Sequence, residues 1–152
     1  MTYMCETKEQ PTQPTLSVRV RAPMQELPQV MGRAYGEIAQ YLCELGEQPA
    51  GPPFAAYYNL DVQDLDVEIG MPVSKNLPGK GNVQPSAMPG GKYAACLHTG
   101  PYSDIGPAYN TLSHWVLENG HIPTGVAYEL YLNDPARTLP AELRTQILFP
   151  LR

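Results

Sequence analysis

The chain repeats itself. Shifted by 74 residues, much of its first half falls on its second half without a gap. Ala34 and Tyr35 fall on Ala108 and Tyr109, Glu44 and Gly46 on Glu118 and Gly120. Pro49 and Gly51 fall on Pro123 and Gly125, Tyr57 and Asn59 on Tyr131 and Asn133. Apolar positions coincide too, in the pairs Met31/Ile105, Ile38/Leu112 and Leu42/Val116. An ordered series of this kind, running through a helix, a loop and a strand, points to duplication. Each half then reads strand–helix–strand–strand. One half alone cannot bury both its helix stripe and its sheet, so two must pack about a pseudo-two-fold axis. The expected class is α+β, with an antiparallel sheet, two main helices and a central ligand groove. A single domain over 1–152 is expected, with half-repeats about 1–74 and 82–152 and a polar, glycine-containing linker at 74–82.

The local patterns fill this frame. Residues 2–9 and 14–22 read as strands. In the second, Leu16, Val18, Val20 and Ala22 alternate with Ser17, Arg19 and Arg21, whose arginines read as its solvated side. Leu27, Met31, Ala34, Ile38, Leu42 and Leu45 form a helical stripe, with Pro28 in its first turn and Gly46 as its stop. Strands are expected at 54–60 and 65–73, the latter with Asp66 and Glu68 outward. After the linker come strands at 83–88 and 92–98. A helix follows at 104–119, capped by Ser103 and ended by Gly120, with a stripe of Ile105, Ala108, Leu112 and Val116. Strands at 125–133 and 142–149 close the chain.

Charge and motif content narrow the chemistry. Ten Lys and Arg against fifteen Asp and Glu give a net charge of −5, with no basic run to neutralise phosphates. Direct nucleic-acid binding is therefore not expected. No apolar stretch approaches the ~20 residues that cross a bilayer, and no signal peptide is visible, so a cytoplasmic location is expected without membrane contact. Cys5, Cys43 and Cys96 suggest neither a disulfide framework nor a zinc motif, and Cys43 and Cys96 read as small buried hydrophobes. His98, His114 and His121 lack metal-ligand spacing; His98 ends a strand and is expected to bond to a turn. No phosphate loop, Rossmann fingerprint or Gly-x-Ser-x-Gly occurs, so no metal and no cofactor are expected. Ten Tyr against two Phe is the compositional oddity, and binding surfaces use tyrosine heavily.

The duplication singles out one carboxylate. In the strand at 125–133, Ala127, Glu129, Tyr131 and Asn133 share a face. Glu129 is either a solvated residue on an open sheet face or the one charge in an aromatic-lined pocket. Under the repeat it falls on Ala55, whereas Tyr131 falls on Tyr57. The framework recurs and the acid does not, which suits a site built asymmetrically where two similar halves meet.

These residues resemble the GyrI-like small-molecule-binding domain, the effector domain of AraC- and MerR-type multidrug-responsive activators. The resemblance covers nearly the whole chain. It is carried by 98–102 (His-Thr-Gly-Pro-Tyr), Tyr109, Trp115, the 128–135 segment Tyr-Glu-Leu-Tyr-Leu-Asn-Asp-Pro, and 140–150. It implies a groove in which the glutamate matching Glu129 meets lipophilic, often cationic ligands. It also implies the stand-alone form, because no helix-turn-helix fits before residue 14, with any regulatory partner protein unknown.

Candidate ligand-binding residues are Glu129, Tyr131, Tyr57, Tyr102, Trp115, Tyr109 and Ala55. For Trp115 and Tyr109, core packing is the competing reading. Two alternatives accompany a binding or sequestering function. The resemblance extends to hydrolases of strained compounds, which would make Glu129 and Tyr131 catalytic, with Glu129 as general acid or base. The gyrase-inhibitor name suggests a protein-binding module, with the acidic strip Asp61, Asp64, Asp66 and Glu68 as its candidate surface.

Overall fold

A computed structural model describes residues 3–152. In chain order its elements are β1 (Cys5–Gln10), β2 (Gln13–Ala22), α1 (Leu27–Leu45), β3 (Phe54–Tyr57), β4 (Leu65–Pro72) and β5 (Gln84–Met88). They continue with β6 (Gly91–Thr99), α2 (Gly106–Glu118), β7 (Ala127–Tyr131) and β8 (Arg144–Pro150). Short 3-10 turns occupy Met24–Glu26, Tyr102–Asp104 and Pro140–Glu142. All strand pairs are antiparallel, so the class is α+β as the periodicities require. The strand expected from residue 2 starts at Cys5, and Thr2 lies outside the described residues.

The chain forms two compact units, one of residues 11–90 and one of residues 1–10 with 91–152. In the first, strands lie in the order β3-β4-β2-β5; in the second, β7-β8-β6-β1. The two orders are the same arrangement. Val18 pairs with Ile69, and Ala55 with Ile69; likewise Cys96 pairs with Ile147, and Glu129 with Ile147. Helix and middle strand therefore repeat at 74 residues (129 − 55), the flanking strands at 78 (147 − 69). The four-residue difference lies in loops. The outer strands are exchanged: β5, which opens the second half, closes the first unit, and β1, which opens the first half, joins the second, with Thr7 opposite Ala94 as Pro85 is opposite Leu16. The boundary between units falls at Gly90–Gly91, because residues 84–88 pair with β2.

Each unit packs its helix on one sheet face. Leu27, Ala34, Ile38 and Leu42 of α1 are buried, and Gly46 ends the helix at φ 70°, a left-handed value that would strain any residue with a Cβ. Gly120 does the same after α2 at φ 72°. In the second unit, Ala108, Leu112 and Val116 of α2 form a core with Ala94, Cys96, Ile147 and Phe149. At 25 cal/mol per Å², each fully buried Leu or Ile contributes about 1.5–3 kcal/mol.

Several expectations are corrected. Ser103 does not cap α2; it lies in the 3-10 turn, and α2 begins after Ile105 without a side-chain cap. Cys43 is exposed on α1, although Cys96 is buried as expected. Glu68 is buried, not outward: Ser17 and Tyr58 hydroxyls each donate to its carboxylate at 2.6 Å. β3 stops at Tyr57: the Tyr58 amide still donates to the Asp66 oxygen, but the Asp66 amide donates to the Asn59 side chain and not back to Tyr58.

Candidate functional site

β7 is only five residues long, and register decides what it presents. Directly opposed residues of an antiparallel ladder point to the same side. Glu129 opposes Ile147, which opposes Cys96; both apolar residues belong to the core under α2. Glu129 therefore projects towards the helix. The next row on that face is Tyr131, Thr145 and His98. A carboxylate is thus set among a helix, an apolar core and a row of polar side chains.

Two tyrosines hold it. The Tyr109 hydroxyl, from α2, donates a short hydrogen bond to Glu129 Oε2. The Tyr131 hydroxyl donates to Oε1 at 2.9 Å. Burial pushes the Glu129 carboxyl above its ordinary range, opposed by the hydroxyls of Tyr109 and Tyr131 and then by nearby His98. Desolvation penalises the ionised form, and hydroxyl donors offset part of that cost. Glu129 enters no ion pair among the described residues. Among the described residues it is held by hydroxyls and by no Lys or Arg, and a carboxylate buried without an opposite charge is costly when ionised.

Tyr102 stands at the exposed side. Its ring meets that of Tyr131 edge-on, centroids 5.6 Å apart, and burial followed by the charges of Asp134 and Glu129 raises its hydroxyl. Trp115 lies on α2, as Tyr109 does. It packs against the helix core and stacks on His121 at 5.9 Å. Six residues separate it from Tyr109, about 9 Å along the helix axis. Tyr109 does both things expected of it, packing beside Phe149 and reaching the acid. Ala55 and Tyr57 lie on β3 of the other unit, the first fully buried opposite Ile69, the second half-buried opposite Val67.

Three residues belong to this cluster without having been singled out for it. His98 is buried; its Nε2 lies 3.0 Å from the Pro101 oxygen, the expected turn contact, and its Nδ1 lies 3.2 Å from the Tyr3 hydroxyl. Thr145 is wholly buried in the same row, and its Oγ1 has no hydrogen-bond partner among the described residues. Only register connects Tyr3, His98 and Thr145 with Glu129, and register is not visible before the strands are paired. No group of three or more His, Cys, Asp or Glu residues is placed to hold a metal among the described residues. Nor is any helix of these residues long and apolar enough to cross a membrane.

The acidic strip is largely neutralised. Arg19 grips Asp66 with bonds of 2.6 and 2.9 Å, Arg21 holds Asp64, and Glu68 is buried. Arg19 and Arg21 are therefore ion-pair partners and not simply a solvated strand side.

The GyrI-like small molecule binding domain matches residues 3–152, and the chain belongs to that family. It is a small-molecule-binding domain in that sense. Among solved structures it is similar to the EcmrR chain of an EcmrR–DNA complex, at 25% identity and TM-score 0.86. That match covers 99% of this chain and 57% of EcmrR, so the chain spans little more than half of that relative's length. It resembles the EcmrR C-terminal domain at 23% identity and TM-score 0.77, covering 100% of this chain and 99% of that one. SAV2435 bound to tetraphenylphosphonium shares the fold at 12% identity and TM-score 0.72, covering 100% and 94%. No curated protein matches the chain in sequence.

Proposed function

We propose that this protein binds a lipophilic, cationic small molecule, with Glu129 as the recognising charge. The observation that carries the reading is the buried carboxylate: raised by burial, held by two hydroxyls, and without an ion-pair partner among the described residues. A bound organic cation supplies the missing charge and favours the ionised acid. Tyr131 and Tyr102 offer ring surface beside it, and a cation over such a ring gains about 0.5–2 kcal/mol. The SAV2435 complex supports the choice of probe, since a fold-mate binds a permanently charged aromatic cation.

Titration with tetraphenylphosphonium, read by thermal shift and calorimetry, tests it. Wild type is expected to bind, and Glu129→Gln to bind about 10–100-fold more weakly, the equivalent of about 1.4–2.8 kcal/mol. Equal binding by both proteins would refute the role of Glu129.

A second reading is hydrolysis. A carboxyl with a raised pKa between two hydroxyls has the makings of a general acid or base. Mass change of a bound compound over hours distinguishes turnover from binding alone.

A further inference from the structure

Cys5 and Cys96 face each other across the β1–β6 ladder. Opposed residues of an antiparallel pair have Cα atoms about 4.5 or 5.5 Å apart, depending on the rung. Both values lie inside the roughly 4.4–6.8 Å window that a disulfide spans. The two side chains lie on the α2 face of the sheet, where Cys5 packs against the core containing Cys96. Each thiol acts on the other's titration as a hydrogen-bonding neighbour. The third cysteine, Cys43, lies on α1 of the other unit and is exposed.

We propose that Cys5 and Cys96 are an oxidisable pair, which a hydroperoxide converts to an intrachain disulfide that staples β1 to β6. The Cys5 thiolate attacks one peroxide oxygen, giving a sulfenic acid and water. The Cys96 thiolate then attacks the Cys5 sulfur, forming the S–S bond and expelling hydroxide, which takes up a proton. Two thiols and one hydrogen peroxide become one disulfide and two waters, with sulfur oxidised and peroxide reduced. Cys5 reacts first because it is half-buried, whereas Cys96 is 2% exposed. Burial raises the Cys5 thiol and pushes Cys96 up to about 12, so thiolate is scarce at neutral pH and the reaction is slow there.

The structural effect is local and specific. β1 lies at the edge of its unit and pairs there with β6. It also follows directly from Tyr3, whose hydroxyl reaches His98 in the polar row beside Glu129. A covalent link at Cys5 therefore holds Tyr3 against His98 whatever happens to the backbone pairing.

The test uses the full chain with hydrogen peroxide at neutral and alkaline pH, read by intact mass and peptide mapping. The expected result is a loss of two hydrogens and a Cys5–Cys96 crosslinked peptide, faster at alkaline pH. The same product should form in Cys43→Ser and be absent from Cys5→Ala and Cys96→Ala. Its thermal midpoint should exceed that of the reduced protein and return on reduction. Cys5→Ala serves as the control should Cys96→Ala fold poorly. Persisting alkylation of both Cys5 and Cys96 after Cys43 has been consumed would overturn the proposal, as would products containing only sulfinic acids or intermolecular Cys43 bridges.

Discussion

Replacing Tyr109 by Phe should destabilise the protein in a pH-dependent way. The substitution keeps the ring beside Phe149 and removes only the hydroxyl that donates to Glu129. A hydrogen bond to a charged group contributes about 1.5–3 kcal/mol, and its loss inside an apolar surrounding approaches the full desolvation penalty. Tyr131 still donates to the other oxygen, so about 2 kcal/mol is the expected cost near pH 7.5. The sign with pH follows from linkage. Burial holds the folded-state carboxyl above its ordinary value of 4.5, so the folded protein keeps its proton to higher pH than the unfolded chain does. The stability gained from that proton is full below pH 4.5 and is lost as pH rises through the folded value. Removing a donor to the ionised form raises the folded value further and makes that loss larger. The cost of Tyr109→Phe is therefore smaller at pH 4.5 than at neutral pH. Urea denaturation of wild type, Tyr109→Phe, Glu129→Gln and the double variant at both pH values measures it. In the Glu129→Gln background the pH dependence of the cost should vanish. An equal cost at both pH values, or one that survives unchanged in that background, would show that Tyr109 acts by packing alone.

Two further substitutions probe polar groups with opposite consequences. Tyr58→Phe takes one of two donors from the buried Glu68 carboxylate, and should cost about 1.5–3 kcal/mol in denaturant melts at neutral pH. A cost no larger than that of an exposed substitution would mean that water replaces the hydroxyl. Thr145→Val exchanges a buried, unpartnered hydroxyl for a methyl group of similar shape, so stability should hold or rise by up to about 1 kcal/mol. A clear loss of stability would show that Oγ1 is hydrogen-bonded after all.

What could be read in advance depended on whether a signal was local. The α1 stripe and its stop at Gly46 are local, and the helix spans Leu27–Leu45 as periodicity predicts. The equivalence of Glu129 with Ala55 lies within the gapless part of the repeat, and register returns it unchanged. The strand exchange was not visible, because β1 and β5 carry weak alternation and their partners are remote in sequence. Glu68 was misplaced for a related reason. Alternation assigns a face of the strand, but not what covers that face, and here Ser17 and Tyr58 do. Ser103 satisfied the composition rule for a cap, yet a 3-10 turn shifted the helix start past it. At the site, alternation and the repeat singled out Glu129 and Tyr131, whereas Tyr102 and Tyr109 were named through the family resemblance. His98, Thr145 and Tyr3 needed the hairpin registers, since they come from three separate strands or their flanks.

Because β1 closes the unit formed by 91–152, it is mechanically attached to the body that holds the carboxylate, and not to the body that follows it in sequence. A load applied ahead of β1 is borne first by the seam with β6, two strands from β7. Whatever is joined ahead of β1, whether a tag, a linker or another domain, has its grip on the body that holds Glu129.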